Sequence, residues 1–379
     1  MILAVLFFAR TAMGVQFQSI AAVSPLLIAE LGIDFALLGA LIGIWMLPGI
    51  ALAIPGGLVG KRFGDKPAVL AGLALMVLGT LLVGMAQSYG VAMAGRLVSG
   101  TGAVLLNVLL VKMVADWFPQ RELSTAMAIL VVSWPLGIGL ALLGLGPLAE
   151  ASSWSVSMQV TAAVCAAALA LVAVLYRRPP QPAVGAPGTP SMLGRRDLAL
   201  AVTSGAVWTL YNVAFILVVS FTPVLLSAQG SGAAHAAMAA SLATWGLMLS
   251  IPLGGVLADR TGRAHAIMVG GMLAMALAMP LILASAAPLA MLALFGLVAG
   301  LPGGVIAALP GRSLSPPARH LGLGIFFTLY YVGMALLPAL AGWLRDASGV
   351  PAAPLHFGGA LLVLAVAFAY VFRRIERRA

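Results

Sequence analysis

Three cationic side chains fall inside long apolar stretches of this 379-residue sequence: Arg10, Arg96 and Lys112. A cation placed in hydrocarbon costs at least ~2.5–3.5 kcal/mol and normally faces a cavity or a partner. The ten acidic residues (Glu30, Asp34, Asp65, Asp116, Glu122, Glu150, Asp197, Asp259, Asp346 and Glu376) all lie at the ends of apolar stretches or between them. His235, His265, His320 and His356 also lie near such ends. With no interior carboxylate or imidazole to pair with or to relay protons, the natural partner of an interior cation is an anion. The chemistry on offer is therefore capture by charge and hydrogen bonding. No Cys/His metal spacing, phosphate-binding loop or nucleotide domain is expected, so no catalytic residue, metal or cofactor is assigned. Cys165 is the single cysteine, and no intrachain disulfide can form.

Arg10 is the leading anion contact. It lies eight to nine residues into its stretch, roughly 12 Å along a helix, although its long stem would also let it snorkel to the interface. Phe17 follows by seven residues and shares its helix face. Arg96 and Asn107 are eleven residues apart, close to three turns, and share another face. For Arg96 two roles stay open, substrate contact or hydrogen bonds to the carbonyls of a neighbouring helix. Lys112 is rotated about 160° from Arg96 and fits an i,i+4 pair with Asp116. Trp208, Tyr211, Asn212, Tyr330 and Tyr331 complete the candidate binding set. An aromatic residue facing Arg10 suits a flat or elongated anion. Gln16 and Gln18 are too close in sequence for both to face one cavity, so at least one bonds a neighbouring helix.

The elements that must position these residues follow from composition. The chain is 62% hydrophobic and only 8% charged, against about 25% charged in soluble domains. Its solvent is therefore largely lipid. Twelve apolar stretches suffice for spans, at about 2–29, 36–58, 68–87, 91–115, 123–147, 155–176, 198–226, 235–257, 265–284, 287–309, 320–343 and 354–372. They are too long and unalternating for barrel strands, so an all-α integral membrane protein of twelve transmembrane helices is expected. A Pro-, Gly- and Arg-rich segment, 177–197, reads as a cytoplasmic linker between a six-helix half at 1–176 and another at 198–379. Sixteen of the twenty Lys and Arg lie on the side of the N-terminus. Both termini are thus expected in the cytoplasm and the protein in the cell (inner) membrane. The net charge of +10 reflects this orientation and not nucleic-acid binding. The first apolar run is too long for a cleavable signal and lacks a clear basic leader.

An internal repeat at offset 198 aligns Gly56-Gly57-Leu58-Val59-Gly60-Lys61-Arg62-Phe63-Gly64-Asp65 with Gly254-Gly255-Val256-Leu257-Ala258-Asp259-Arg260-Thr261-Gly262-Arg263. It also aligns Ser24-Pro25 with Thr222-Pro223, Pro119 and Arg121 with Pro317 and Arg319, and Arg10 with Trp208. The two halves are therefore pseudo-symmetric and parallel. Asp259-Arg260-Thr261-Gly262-Arg263, Gly95-Arg96 through Gly100, and Trp117-Phe118-Pro119 with Arg121-Glu122 resemble the signature motifs of the major facilitator superfamily of secondary transporters. Span one and the run from Asn107 to Leu110 are similar to its cyanate, nitroimidazole and nitrate porter branches. The resemblance implies alternating access around a site between the halves. Asp259, Arg260 and Arg263, with Arg62 and Gly64, would form a conformational latch at the cytoplasmic loops. The two loops depart from each other in charge: Lys61 stands where the second has Asp259, and Asp65 where it has Arg263.

These features predict an alternating-access transporter of a small anion, an organic acid or a cyanate- or nitrate-like ion, working as a monomer in the lipid bilayer. The alternative is proton-coupled efflux of apolar drugs or metabolites, with which eighteen methionines and an apolar interior are compatible. A membrane sensor on the same scaffold would need a soluble signalling segment, and the longest loop, about twenty residues, is too short for one.

Overall fold

The computed structural model describes residues 1–52, 62–118, 120–177, 194–285, 287–315 and 319–377. Gly56 through Lys61, Pro119, Pro317 and most of the linker lie outside the described residues. Every regular element among the described residues is a helix. These are α1 (Ile2–Ala22), α2 (Ser24–Leu31), α3 (Phe35–Ile44), α4 (Pro48–Leu52), α5 (Asp65–Gly84), α6 (Tyr89–Trp117), α7 (Gln120–Ala151), α8 (Trp154–Leu175), α9 (Arg195–Ala228), α10 (Ala233–Thr261), α11 (Ala264–Ala284), α12 (Pro288–Ser313), α13 (Arg319–Ser348) and α14 (Ala353–Arg377). Twelve stretches among them are long and apolar enough to cross a membrane. They coincide with the twelve expected from sequence.

Two spans are broken where the sequence demands it. The first stops at Ala22 and resumes at Ser24. Pro25 follows at once and brings no N–H to continue the ladder. The second breaks after Ile44 at a turn before Pro48. There the amides of Trp45 and Met46 both turn to Gly43 O, so the carbonyls of Leu41 and Ile42 lose their helical donors.

Packing recurs in pairs at the repeat offset. α1 packs on α7 and α8 as α9 packs on α13 and α14, and α5 on α6 and α8 as α11 on α12 and α14. The first six spans meet the last six mainly through α3 against α13 and α7 against α10. We call the end of the bundle holding Arg177 and Arg195 the basic end, and the end holding residues 23–35 and 228–233 the far end.

Candidate functional site

The residues singled out by chemistry separate into two clusters. In the first, α1, α6, α9 and α13 converge. The Nη1 of Arg10 donates to Leu130 O at 3.4 Å, a long bond. Its Nε is buried without a partner. Arg10 is within electrostatic reach of the hydroxyls of Tyr330 and Tyr331. Asn107 lies beside Tyr331. The ring of Tyr330 is 5.4 Å from that of Tyr331 and 6.3 Å from that of Trp208, which stacks on Phe326 at 5.9 Å. Asn107 Oδ1 and Trp208 Nε1 are also buried without partners. Each orphaned buried polar atom costs about 1–3 kcal/mol, and the cation's own Nε with the two other orphaned atoms of the cluster marks where a ligand would satisfy them. Rotating the Asn107 amide by half a turn exchanges its oxygen for a donor. An anion could then be met by Arg10, Trp208 and Asn107 together.

The second cluster is structural. Arg96 is 2% exposed. It donates from Nε to Leu41 O (3.0 Å), from Nη1 to Gln16 O (3.0 Å), and from Nη2 to Phe17 O (3.2 Å) and Ile42 O (3.4 Å). Two of those carbonyls are the ones stranded where α3 ends, so Arg96 completes the broken helix and ties it to α1. Gly100, one turn on, lets α6 close onto the Trp45 backbone, where a Cβ would overlap. Phe17 is buried between Trp45 and Trp134, at 5.1 and 5.2 Å. Gln16 Nε2 donates to Met76 O at 2.7 Å, and its oxygen accepts from Trp45 Nε1 at 3.2 Å. Of the remaining expected residues, Tyr211 donates to Ala299 O at 2.7 Å and Asn212 turns back to Trp208 O at 2.7 Å. Arg10, Asn107, Trp208, Tyr330 and Tyr331 thus come together; the Tyr211 ring borders the cluster at 6.1 Å from Trp208 but directs its hydroxyl to Ala299, Asn212 turns back on its own helix, and Arg96 and Phe17 belong to the structural cluster.

At the far end the first and last six spans are clamped. Asp346 Oδ2 accepts from the amide of Ala36, and Glu150 Oε2 from that of Ala234, each at 2.8 Å. Ala36 and Ala234 are second residues of α3 and α10 and stand 198 apart, the repeat offset. Each carboxylate therefore fills an orphan amide at a helix N-terminus, where the dipole favours negative charge. Gln18 Nε2 reaches Val219 O at 2.9 Å, and the Arg345 guanidinium lies 4.0 Å over the Phe35 ring. Gly39, Gly43 and Gly342 bring α3 and α13 into backbone contact, where any Cβ would overlap. Sequence reasoning missed this clamp, although the repeat offset carried its signal.

At the basic end the two loop motifs differ. Lys112 Nζ holds Asp116 at 2.8 Å, the expected i,i+4 pair, and also Asp65 at 2.5 Å. Asp65 was not among the expected latch residues. Gly64 (φ +88°) precedes α5, and Arg62 lies over its neighbour Phe63. In the second motif Gly262 (φ +65°) ends α10 in the left-handed conformation that favours glycine. Asp259, Arg260 and Arg263 are exposed, and among the described residues their side chains form no ion pair.

The profile of the Major Facilitator Superfamily matches residues 6–229 and 200–379. The chain belongs to this superfamily, and it is a multi-pass membrane protein. It is 32% identical to the inner membrane transport protein YajR of Escherichia coli K12 over 117 residues, 31% of this chain and 25% of that one. An MFS-type transporter of Aspergillus terreus is 29% identical over 110 residues, 29% of this chain and 20% of its own length. The matched segments thus span a quarter or less of these relatives. Among solved structures, a bacterial homolog of the human lysosomal transporter Spinster, inward-facing and occupied, superposes with a TM-score of 0.77 at 18% identity, covering 98% of this chain and 96% of that one. The same homolog in its unoccupied inward-facing form gives 0.72 at 16% identity, over 100% of this chain and 97% of that one.

Proposed function

We propose that the protein carries a small anion, an organic acid or a compact inorganic or pseudohalide ion, by alternating access as a monomer. Two six-helix halves, 1–176 and 198–379, would rock about a central site, joined by the linker 177–197. The observation that carries this reading is the half-buried Arg10 side chain, within electrostatic reach of Tyr330 and Tyr331, with its buried Nε unpaired. A cation so placed is better satisfied by an entering anion than by an apolar cargo. Aromatic rings on the α9 and α13 side supply a face on which a flat anion can lie. The Lys and Arg bias supports a cytoplasmic basic end in the inner membrane. With that orientation, the far-end clamp would close the outer side of the site. The exposed Asp259, Arg260 and Arg263, with Arg62 and Gly64, are free to latch the opposite state. Counterflow in proteoliposomes against a panel of radiolabelled anions, neutral drugs and metabolites tests the reading. Exchange of one anion class supports it. Exchange restricted to neutral compounds and driven by an imposed pH gradient replaces it with proton-coupled efflux.

A further inference from the structure

A cavity of about 270 Å3 opens at the basic end between α11, α12 and α14. Its lining divides by chemistry. Met268, Val305, Leu309 and Phe372 form an apolar floor, and Arg312, Arg373 and Arg377 with His265 form a basic rim. Arg312 ends α12, Arg373 and Arg377 end α14, and His265 opens α11, so three helices bring cations to one mouth. Arg373 and Arg377 lie within electrostatic reach of His265. The Nε2 of His265 is buried without a hydrogen-bond partner. Glu376 is the one carboxylate in the lining, and among the described residues it forms no ion pair with the arginines beside it. Arg312 and Arg377 are exposed and Arg373 is half-buried, so three cations share one mouth with a single unengaged acid, a field that attracts an anion.

We propose that this cavity binds a phosphate-bearing anion, held by Arg312, Arg373 and Arg377 and by a hydrogen bond to His265. Arginine forks match phosphate oxygens in pairs. The apolar part of the lining suits the glycerol and first acyl carbons of an anionic phospholipid. Basic pockets between transmembrane helices take lipid headgroups in this way. The site is separate from the Arg10 cluster, so its occupant modulates or steadies the last six spans and is not the cargo.

The test uses purified full-length protein in detergent, titrated in separate arms with phosphatidylglycerol, phosphatidylcholine, glycerol phosphate and inorganic phosphate. Binding is read by native mass spectrometry and thermal shift. Phosphatidylglycerol is expected to bind and phosphatidylcholine not to. Each Arg→Gln change at 312, 373 or 377 should weaken binding roughly fivefold. Glu376→Gln should tighten it by a similar factor, a gain that a misfolded variant cannot mimic. Arginine-dependent binding of glycerol phosphate or inorganic phosphate at comparable affinity supports the phosphate site and assigns it a soluble occupant. Binding of phosphatidylglycerol unaffected by the arginine changes and by Glu376→Gln, or equal binding of phosphatidylcholine, overturns the proposal.

Discussion

The far-end clamp gives a quantitative account of what holds the closed arrangement. Glu150 and Asp346 each accept from the second amide of a helix that belongs to the opposite group of spans. Separating the two groups of spans at that end breaks both bonds, so they stabilise one state alone. Replacement by Gln and Asn keeps an acceptor and removes the charge, a loss of about 0.3–1 kcal/mol at each helix N-terminus. That is about a two- to fivefold shift per site toward the far-open state. Alanine also removes the acceptor, about 0.5–2 kcal/mol, or about two- to thirtyfold. The two sites are not equal. α3 retains its own cap, since Asp34 accepts from Leu37 N at 2.8 Å, whereas α10 starts after Gly232, which has no side chain to offer. Glu150→Ala is therefore expected to exceed Asp346→Ala. A suitable assay is labelling of Ser220→Cys by an impermeant thiol reagent from the far side. Ser220 is fully buried beside Gln18, and the natural Cys165 is buried as well. The double alanine variant should label at least tenfold faster than its parent. Unchanged labelling in the double variant would refute the clamp.

Three further outcomes follow from the same geometry. Arg96→Ala should lower thermal stability by about 3–5 kcal/mol, because it strands carbonyls at the end of α3; Arg96→Lys should rescue little, since one ammonium cannot reach four carbonyls, and a loss of transport without loss of melting temperature would instead place Arg96 at the substrate. Gly43→Val should push α3 off α13 and raise far-side labelling of Ser220→Cys even with both carboxylates intact; slower labelling would contradict the packing. Asp259→Asn should leave melting of this state unchanged, because Asp259 has no ion pair among the described residues, and, if the proposed latch holds the opposite state, should lower far-side labelling; faster labelling would show that Asp259 stabilises the closed far end.

The spans were legible because lipid imposes length and apolarity on every one of them. The breaks near Pro25 and Pro48 were not legible in advance, since apolarity runs both spans through, at 2–29 and 36–58; proline explains them once the helix ends are seen. The cluster around Arg10 was legible in its members, since polar and aromatic residues inside apolar runs are few. The roles of Arg96 and Asp65 were not. Arg96 bonds carbonyls freed by a turn 54 and 55 residues away in the chain, and backbone acceptors have no residue signature. Asp65 meets Lys112 across 47 residues, a distance that helix periodicity does not reach. Tyr211 and Asn212 have cavity-donor chemistry, yet their rotation on α9 turns one toward Ala299 and the other back on its own helix. The clamp partners lie 84 and 310 residues apart. Only the repeat offset linked Ala36 to Ala234.

Arg10 is the proposed anion contact. Removing a buried cation that meets a bound anion costs about 3–5 kcal/mol, so Arg10→Ala should lower kcat/KM for the transported anion at least a hundredfold. Counterflow of that anion in proteoliposomes, with wild type, Arg10→Ala and Arg10→Lys matched for melting temperature, measures this directly. Exchange should vanish with alanine and survive in part with lysine. Wild-type exchange by Arg10→Ala would contradict this role.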